Sequence, residues 1–382
     1  MEAPLRGRKR RKAILVLEDG SSFLGYGFGA TKKVAGEVVF STGMVGYTEA
    51  LTDPSYYGQI LTLTYPLIGN YGVPKANSET GIPPVYFESD GIKVRGLVLQ
   101  NLCQLPSHWA SSRTLHGWLV EEGIPGICGI DTRQLTKKLR EKGVMLGVLE
   151  VCDEGESPDT ESLRKEAANV LDPNQTDLVR MVTVTQPVSY PSASQGRSAV
   201  VIDCGVKAGI LRCLLKRGFA VTRVPYDFES GELAALKPDL VIVSNGPGDP
   251  RLCAPTIELV RSLIEMRVPV LGICLGNQIV ALSLGATSYK LKYGHRSQNQ
   301  PALDLKTGRC YITTQNHGYA IEASSLERTG LEVSFLNAND KTVEGVAHPK
   351  LPCLGVQFHP EASPGPQDTE FLFDKFLSLG GR

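Results

Sequence analysis

The sequence predicts an α/β protein: a C-terminal, doubly wound and mostly parallel sheet, preceded by a smaller, mixed β-rich domain. Three observations carry this expectation. From residue 197 onward, short apolar runs alternate with amphipathic helices, the pattern of a parallel sheet with crossover helices. Residues 13–150 instead hold several short β-rich runs and only two helical stretches. Between them, 151–196 is rich in Glu, Asp, Ser, Thr, Pro and Gln, the composition of connecting chain.

Residues 1–12, MEAPLRGRKRRK, carry six basic side chains and one acidic and read as a solvated tail. This is no secretory signal, because only five apolar residues precede Glu18 and Asp19, and the absence of serine before position 21 argues against a transit peptide. The domain 13–150 follows, with strands expected at AILVLED, EVVFST, QILTLTY and VRGLVLQ. Its clearest helix opens at Asp131 with Gln134 three residues on, runs through TRQLTKKLREK and stops at Gly143. Gly25-Tyr26-Gly27-Phe28-Gly29 lacks both GxGxxG spacing and a strand-to-helix setting, and reads as a turn. Residues 151–175 read as a partly helical excursion and 183–196 as the linker proper.

In the domain 197–382, SAVVID is a strand and KAGILRCLLKRG a helix with Ile210, Leu211, Leu214 and Leu215 on one face. FAVTRVPY, a short helix and DLVIVSNG come next. The helix APTIELVRSLIEM then leads to the strand VPVLGIC, which runs straight into the helix LGNQIVALSLGA. RCYITT, LEVSFLN, EGVAHP and CLGVQF are strand-like, and QDTEFLFDKFLSLG closes the chain as an amphipathic helix.

The 382 residues are 42% hydrophobic and 21% charged, enough for a full core in two or three domains; a disordered chain, a collagen and a small disulfide scaffold are excluded. No apolar run approaches the roughly 18 to 20 residues needed to span a bilayer. Removing the tail's charges from 40 basic and 40 acidic side chains leaves 34 and 39, a mildly acidic body that argues against nucleic acid as partner. Nine scattered cysteines without a CxxC pair read as reduced thiols in the cytoplasm. Six histidines show no HExxH or clustered spacing, so no metal site is expected. Without a GxxxxGK[ST] loop, neither is ATP chemistry.

The strongest chemical signal is Gly272-Ile273-Cys274-Leu275-Gly276, where a buried strand ends and a helix begins. It is the cysteine version of the nucleophile elbow, and a helix N-terminus favours a thiolate; a buried cysteine on an ordinary turn is the bland alternative. A base and an orienter are offered by Gln357-Phe358-His359-Pro360-Glu361. Residues two apart in an extended segment share a face, so Glu361 can lie beside His359. Alone, His-Pro-Glu is a loop accident; with the elbow it becomes a Cys-His-Glu triad. Ser244-Asn245-Gly246-Pro247-Gly248-Asp249-Pro250 follows a strand at the ligand-binding edge of the sheet, although the same residues make a plain turn. Gln315-Asn316-His317-Gly318-Tyr319 reads as following another strand and offers further polar contacts.

The set SNGPGDP, GICLGNQ, QNHGYA and QFHPEASPGP resembles the class I (triad) glutamine amidotransferases. With GEVVFSTGM, GYTEALTDPSYYGQ and LTYPLIGNYG, the chain is similar over 13–380 to the small, glutamine-hydrolysing subunits of carbamoyl phosphate synthetases. The resemblance implies Cys274 as nucleophile, His359 as base and acid, and Glu361 as its orienter. It implies a glutamine pocket of Gly43, Gly246, Gly248, Leu275, Gln278, Asn316, Gly318 and Tyr319, with the Gly248 and Leu275 N–H groups as oxyanion donors. It also implies a large synthetase subunit that receives the ammonia through a tunnel and carries the ATP and Mg, no cofactor in this chain, and a product feeding pyrimidine or arginine synthesis. One position departs from the pattern: Asn277 stands where the family has His, which touches rate or coupling more than hydrolysis itself. Readings left open are a cysteine peptidase or γ-glutamyl hydrolase, a non-enzymatic regulatory module, and amidotransfer to another acceptor.

Overall fold

The structure, a computed structural model, describes residues 10–76, 83–192 and 196–377. Its contacts divide the chain into two compact units, residues 1–77 with 90–175, and residues 78–89 with 176–382.

The first unit is built on a closed barrel. In spatial order its strands are Lys12–Leu17, Met145–Val151, Lys33–Ser41, Gln59–Leu63, Gly96–Val98, Pro125–Cys128 and Ser22–Gly29. Closure leaves no free sheet edge in this ring. The Gly25–Gly29 run, expected as a turn, lies inside the last of these strands. The reason is steric. A Cβ at Gly25 would sit 2.5 Å from the Cys128 carbonyl oxygen, and one at Gly27 would sit 2.4 Å from Val151. The glycines serve close backbone approach in a curved sheet, not a reversal. The helix Thr132–Lys142 has the expected bounds, with Asp131 accepting from the Gln134 N–H at 2.8 Å and Gly143 at its end. Within 151–175 a helix does form, Thr160–Ala167, capped by Asp159. It packs Leu163 and Ala167 on Ile14, Val16 and Val148.

The second unit is a single twisted sheet with helices on its faces. Its strand order is Val188–Tyr190, Phe219–Pro225, Arg197–Asp203, Leu240–Val243, Val270–Ile273, Cys353–Val356, Val343–Ala347, Glu332–Asn337, Ser288–Asp304 and Cys310–Ile321. Only the stretch from Phe219–Pro225 to Cys353–Val356 pairs parallel; every other neighbour is antiparallel. The expectation of a mostly parallel sheet is therefore corrected. Strands joined by crossover helices are parallel, and those after residue 288 follow one another with no α-helix between them. The expected linker 183–196 also carries structure, since Val188–Tyr190 pairs as an edge strand. QNHGYA lies within Cys310–Ile321 rather than after a strand. The closing helix is shorter than expected, Phe371–Leu377, and Ser378–Gly380 fall outside the described residues.

Alternate residues of the parallel strands face opposite layers. Val200, Ile202, Val241 and Val243 pack with Leu259, Val260 and Leu263 of one helix layer. Val201, Ile242, Leu271 and Ile273 pack with Ile210, Leu214, Phe373 and Phe376 of the other. Both layers deliver the carboxyl ends of the parallel strands to one edge.

Gly25→Ala is expected to lower stability by about 1–3 kcal/mol, since the new methyl meets backbone that cannot yield. Gly231→Ala, in the first turn of the helix Ser230–Ala235 with nothing within 4 Å of its Cβ position, is expected to raise it by about 0.4–1 kcal/mol. Urea midpoints of the two variants check the contrast.

Candidate active site

The strand Val270–Ile273 ends at Cys274, which precedes the helix Leu275–Ser283. Cys274 has φ 56° and ψ −105°, a conformation that costs a non-glycine residue about 1–3 kcal/mol. Its N–H donates to the Val356 carbonyl at 2.8 Å. A Cβ at Gly272 would lie 2.3 Å from the Gly276 carbonyl oxygen, and one at Gly276 would lie 2.0 Å from that of Val243. Both flanking glycines are thus required, and the sharp turn they permit sets the Cys274 thiol at the N-terminal end of a helix dipole. The thiol is 3.6 Å from the Asn316 carbonyl oxygen, and the Gln357 side-chain amide is 3.7 Å from the sulfur.

His359 and Glu361 follow the neighbouring strand Cys353–Val356. The His359 N–H donates to the Thr314 carbonyl at 2.9 Å, which fixes the backbone. His359 Nδ1 is 2.6 Å from Glu361 Oε1, and the Lys207 ammonium lies 3.1 Å from the same oxygen. Lys207 also donates to the Ala362 carbonyl at 2.7 Å. All three side chains are buried. Burial opposes a charged imidazole, but the Glu361 carboxylate and the Cys274 sulfur favour it, and His359 is pushed up to about 10. Burial likewise opposes a charged Glu361, yet Lys207 and His359 bring it down to about 2. His359 Nε2 has no hydrogen-bond partner among the described residues and is the ring atom left for proton exchange.

The remaining predicted residues of the second unit lie on its strands and on the elements that follow them. Gly246 follows the strand Leu240–Val243, and a Cβ there would lie 2.0 Å from the Cys204 carbonyl oxygen and 2.8 Å from Leu275. Gly248 has φ 86°, open to glycine alone without strain. Leu275 is buried at the first turn of the helix. Gln278 uses its amide N–H groups on the Tyr319 carbonyl at 2.8 Å and on Gln357 Oε1 at 3.0 Å, so it ties the QNHGYA strand to the elbow helix. Asn316, Gly318 and Tyr319 lie side by side on that strand. Gly43 belongs to the first unit, where its N–H donates to Ser41 Oγ at 3.3 Å just after Lys33–Ser41. Asn277 is fully buried and donates to Gln357 Oε1 at 3.3 Å, turned toward the sheet and Gly355.

Three residues of this neighbourhood, Lys207, Gln357 and Glu88, have no role that the local sequence marks. Glu88 caps the helix Ala208–Lys216, accepting from the Gly209 N–H at 2.8 Å through its side chain and from the Ala208 N–H at 2.9 Å through its carbonyl. It also pairs with Arg212 at 2.6 Å. Nothing in local sequence marks Glu88, which lies more than a hundred residues from the helix it caps. Sequence spacing also gave no sign of a second buried cluster, His295, His317 and Glu344, because its members come from three different strands.

Residues 15–149 match the family described as carbamoyl-phosphate synthase small chain, CPSase domain, and residues 200–379 match class-I glutamine amidotransferase. The chain is 47% identical to the carbamoyl phosphate synthase small chain of Methanocaldococcus jannaschii, over 97% of this chain and 99% of that one. It is 48% identical to the Methanopyrus kandleri small chain, over 96% and 99%. It is also 50% identical to the multifunctional protein CAD of Squalus acanthias, over 96% of this chain and 16% of that protein.

The charge pair sets a pH window. The raised His359 stabilises the fold fully below its ordinary 6.5, and that contribution is lost as pH rises through about 10. The depressed Glu361 stabilises it fully above its ordinary 4.5, and that contribution is lost as pH falls through about 2. The stability gap between the wild-type chain and Glu361→Gln is therefore expected to be widest between pH 4.5 and 6.5 and to narrow on both sides. Urea midpoints across pH measure it; a gap undiminished in alkali would contradict the assignment.

Proposed function

The chain belongs to the carbamoyl phosphate synthase small-chain family, and we propose that it hydrolyses the side-chain amide of L-glutamine at Cys274 and hands the ammonia to a large synthetase subunit. The observation that carries this reading is the strained cysteine elbow beside a buried His359–Glu361 pair. Cys274 attacks the amide carbon as the thiolate, with His359 holding the proton as imidazolium. The tetrahedral oxyanion is met by the backbone N–H groups of Leu275 and Gly248. On collapse, the C–N bond breaks and the His359 proton leaves with the nitrogen as ammonia, so that a γ-glutamyl thioester remains on Cys274. Neutral His359 then takes a proton from water, whose oxygen attacks the thioester carbon. Glutamate departs and the thiolate–imidazolium pair is restored.

Within the second unit, glutamine is held by Gly246, Gly248, Leu275, Gln278, Asn316, Gly318 and Tyr319. The adjacent Cys274 contact to the Asn316 carbonyl supports the place of that strand in the pocket. Lys207 positions Glu361, which in turn orients His359. Asn277, buried against Gln357, acts beneath the site rather than on substrate. No cofactor serves this half-reaction; ATP and Mg belong to the large subunit, where the ammonia is used for carbamoyl phosphate and hence for pyrimidine or arginine synthesis. A cytoplasmic setting is supported by nine free cysteines. Among the described residues, no helix is long and apolar enough to cross a membrane.

A glutamine-mimicking chloroketone is expected to add once, at Cys274, and excess glutamine to suppress the adduct, as read by intact mass and peptide mapping. Cys274→Ser is expected to lose roughly 10³-fold or more of glutamine hydrolysis while keeping the fold. No adduct even with the large subunit present would overturn the mechanism in favour of a regulatory module.

A further inference from the structure

Behind the QNHGYA strand lies the buried cluster that the mechanism does not use. His295 comes from Ser288–Asp304, His317 from Cys310–Ile321 and Glu344 from Val343–Ala347. His295 and His317 stand opposite each other in the strand register, and one ligand atom from each of the three residues lies within 4.8 Å of the others. We propose that His295, His317, Glu344 and the side-chain carbonyl of Gln315 form a binding site for a divalent transition-metal ion of the zinc type.

The argument is an account of protons. The Thr313 hydroxyl donates to the Gln300 carbonyl at 2.8 Å, so its oxygen accepts from Gln315 Nε2 at 3.2 Å, and Gln315 Oε1 is thereby turned inward. His317 Nδ1 lies 2.8 Å from the Tyr319 carbonyl, a pure acceptor, and must carry the ring proton. That leaves the lone pair of Nε2 3.1 Å from Gln315 Oε1. His295 Nε2 lies 2.8 Å from Asp340 Oδ2 and carries its ring proton. Its Nδ1 then faces Gln315 Oε1 at 3.0 Å and Glu344 Oε1 at 3.3 Å. The other Glu344 oxygen is buried with no partner among the described residues. Glu344 Oε1 accepts from Asn337 Nδ2 at 3.1 Å, but the two ring lone pairs and the Gln315 oxygen converge beside it with no donor between them, which is costly away from water.

A second proton on His295 would satisfy Nδ1, but His317 Nε2 would still oppose an oxygen. One cation satisfies all four groups together. Three of the separations, 3.0–3.3 Å, match the roughly 3.3 Å edge of a tetrahedron with bonds of about 2.0–2.1 Å, and the ligand atoms of His295, His317 and Glu344 all lie within 4.8 Å of one another. Each imidazole has its far N–H held, one by a carboxylate and one by a backbone carbonyl, as metal-bound histidines do. Glu344 and Asp340 balance the charge of the ion. The site pins the strand that carries Asn316, and it stands whether or not the glutamine reading holds.

The test uses the untagged full-length chain, stripped with chelator and dialysed, then titrated with Zn²⁺ and Co²⁺. One equivalent of zinc is expected to remain through gel filtration, with a thermal-midpoint rise on binding. Cobalt is expected to give visible bands of four-coordinate N/O ligation without thiolate charge transfer, which separates this site from the cysteines. Glu344→Gln and His295→Gln should lose the equivalent, and Asp340→Asn should weaken binding by about 10- to 100-fold. Sub-stoichiometric zinc, thiolate bands or undiminished binding in Glu344→Gln would overturn the proposal. If Glu344→Gln does not fold, Asp340→Asn decides, and an unchanged affinity there overturns it equally.

Discussion

The Glu361 carboxylate, its side chain fully withdrawn from water, is the charge that the second unit is arranged to hold. An isolated carboxylate in such a place would give up its charge. Here Lys207 on one side and His359 on the other keep it ionised, and the same contacts fix the imidazole in orientation and tautomer. Much of the surrounding architecture follows from this demand. Lys207 is set by the loop after Arg197–Asp203, where Asp203 accepts from the Gly205 and Val206 N–H groups at 3.0 and 2.8 Å. Asn245, from the next strand end, accepts from the Lys207 N–H at 3.0 Å. Gly209 leaves room for Glu361, whose Cγ would come within 3.0 Å of any Cβ there. Removing one member of such a buried set strands the rest, at a cost of about 3–5 kcal/mol.

The second constraint is the backbone at Cys274. Its positive φ is tolerated because the neighbouring strands and helix leave no alternative path: a Cβ on either flanking glycine would meet a carbonyl oxygen, and the Cys274 N–H is locked to the Val356 carbonyl. Strain concentrated at one residue is offset by packing of the apolar layers on both faces of the sheet. The two constraints meet across a single strand boundary. Val270–Ile273 and Cys353–Val356 are parallel neighbours, so their carboxyl ends deliver nucleophile and base to the same edge.

Amide side chains link these two features. Gln357 touches the Cys274 sulfur through Nε2 and receives Asn277 and Gln278 at Oε1. Asn277 therefore completes a buried network that a larger imidazole would fill differently, which gives a physical meaning to the departure at that position. On the far side of the QNHGYA strand, His295, His317 and Glu344 repeat the theme of buried polar groups that need a compensating charge.

Sequence alone determined the features that are local in the chain. The glycine-flanked elbow, the His359–Glu361 spacing, the capped helix from Thr132 and the crossover pattern after residue 197 all depend on residues a few positions apart. Backbone sterics, side-chain alternation and helix capping act over that range. Tertiary structure decided the rest. The barrel reclassified Gly25–Gly29 as strand, because the atoms that exclude a side chain there come from Cys128 and Val151. The antiparallel half of the second sheet, the edge strand Val188–Tyr190, the burial of Lys207, the Glu88 cap and the His295–His317–Glu344 cluster were likewise invisible to local pattern. Each depends on strands and loops distant in sequence meeting in space, and the desolvation that gives their charges meaning exists only once the chain has folded around them.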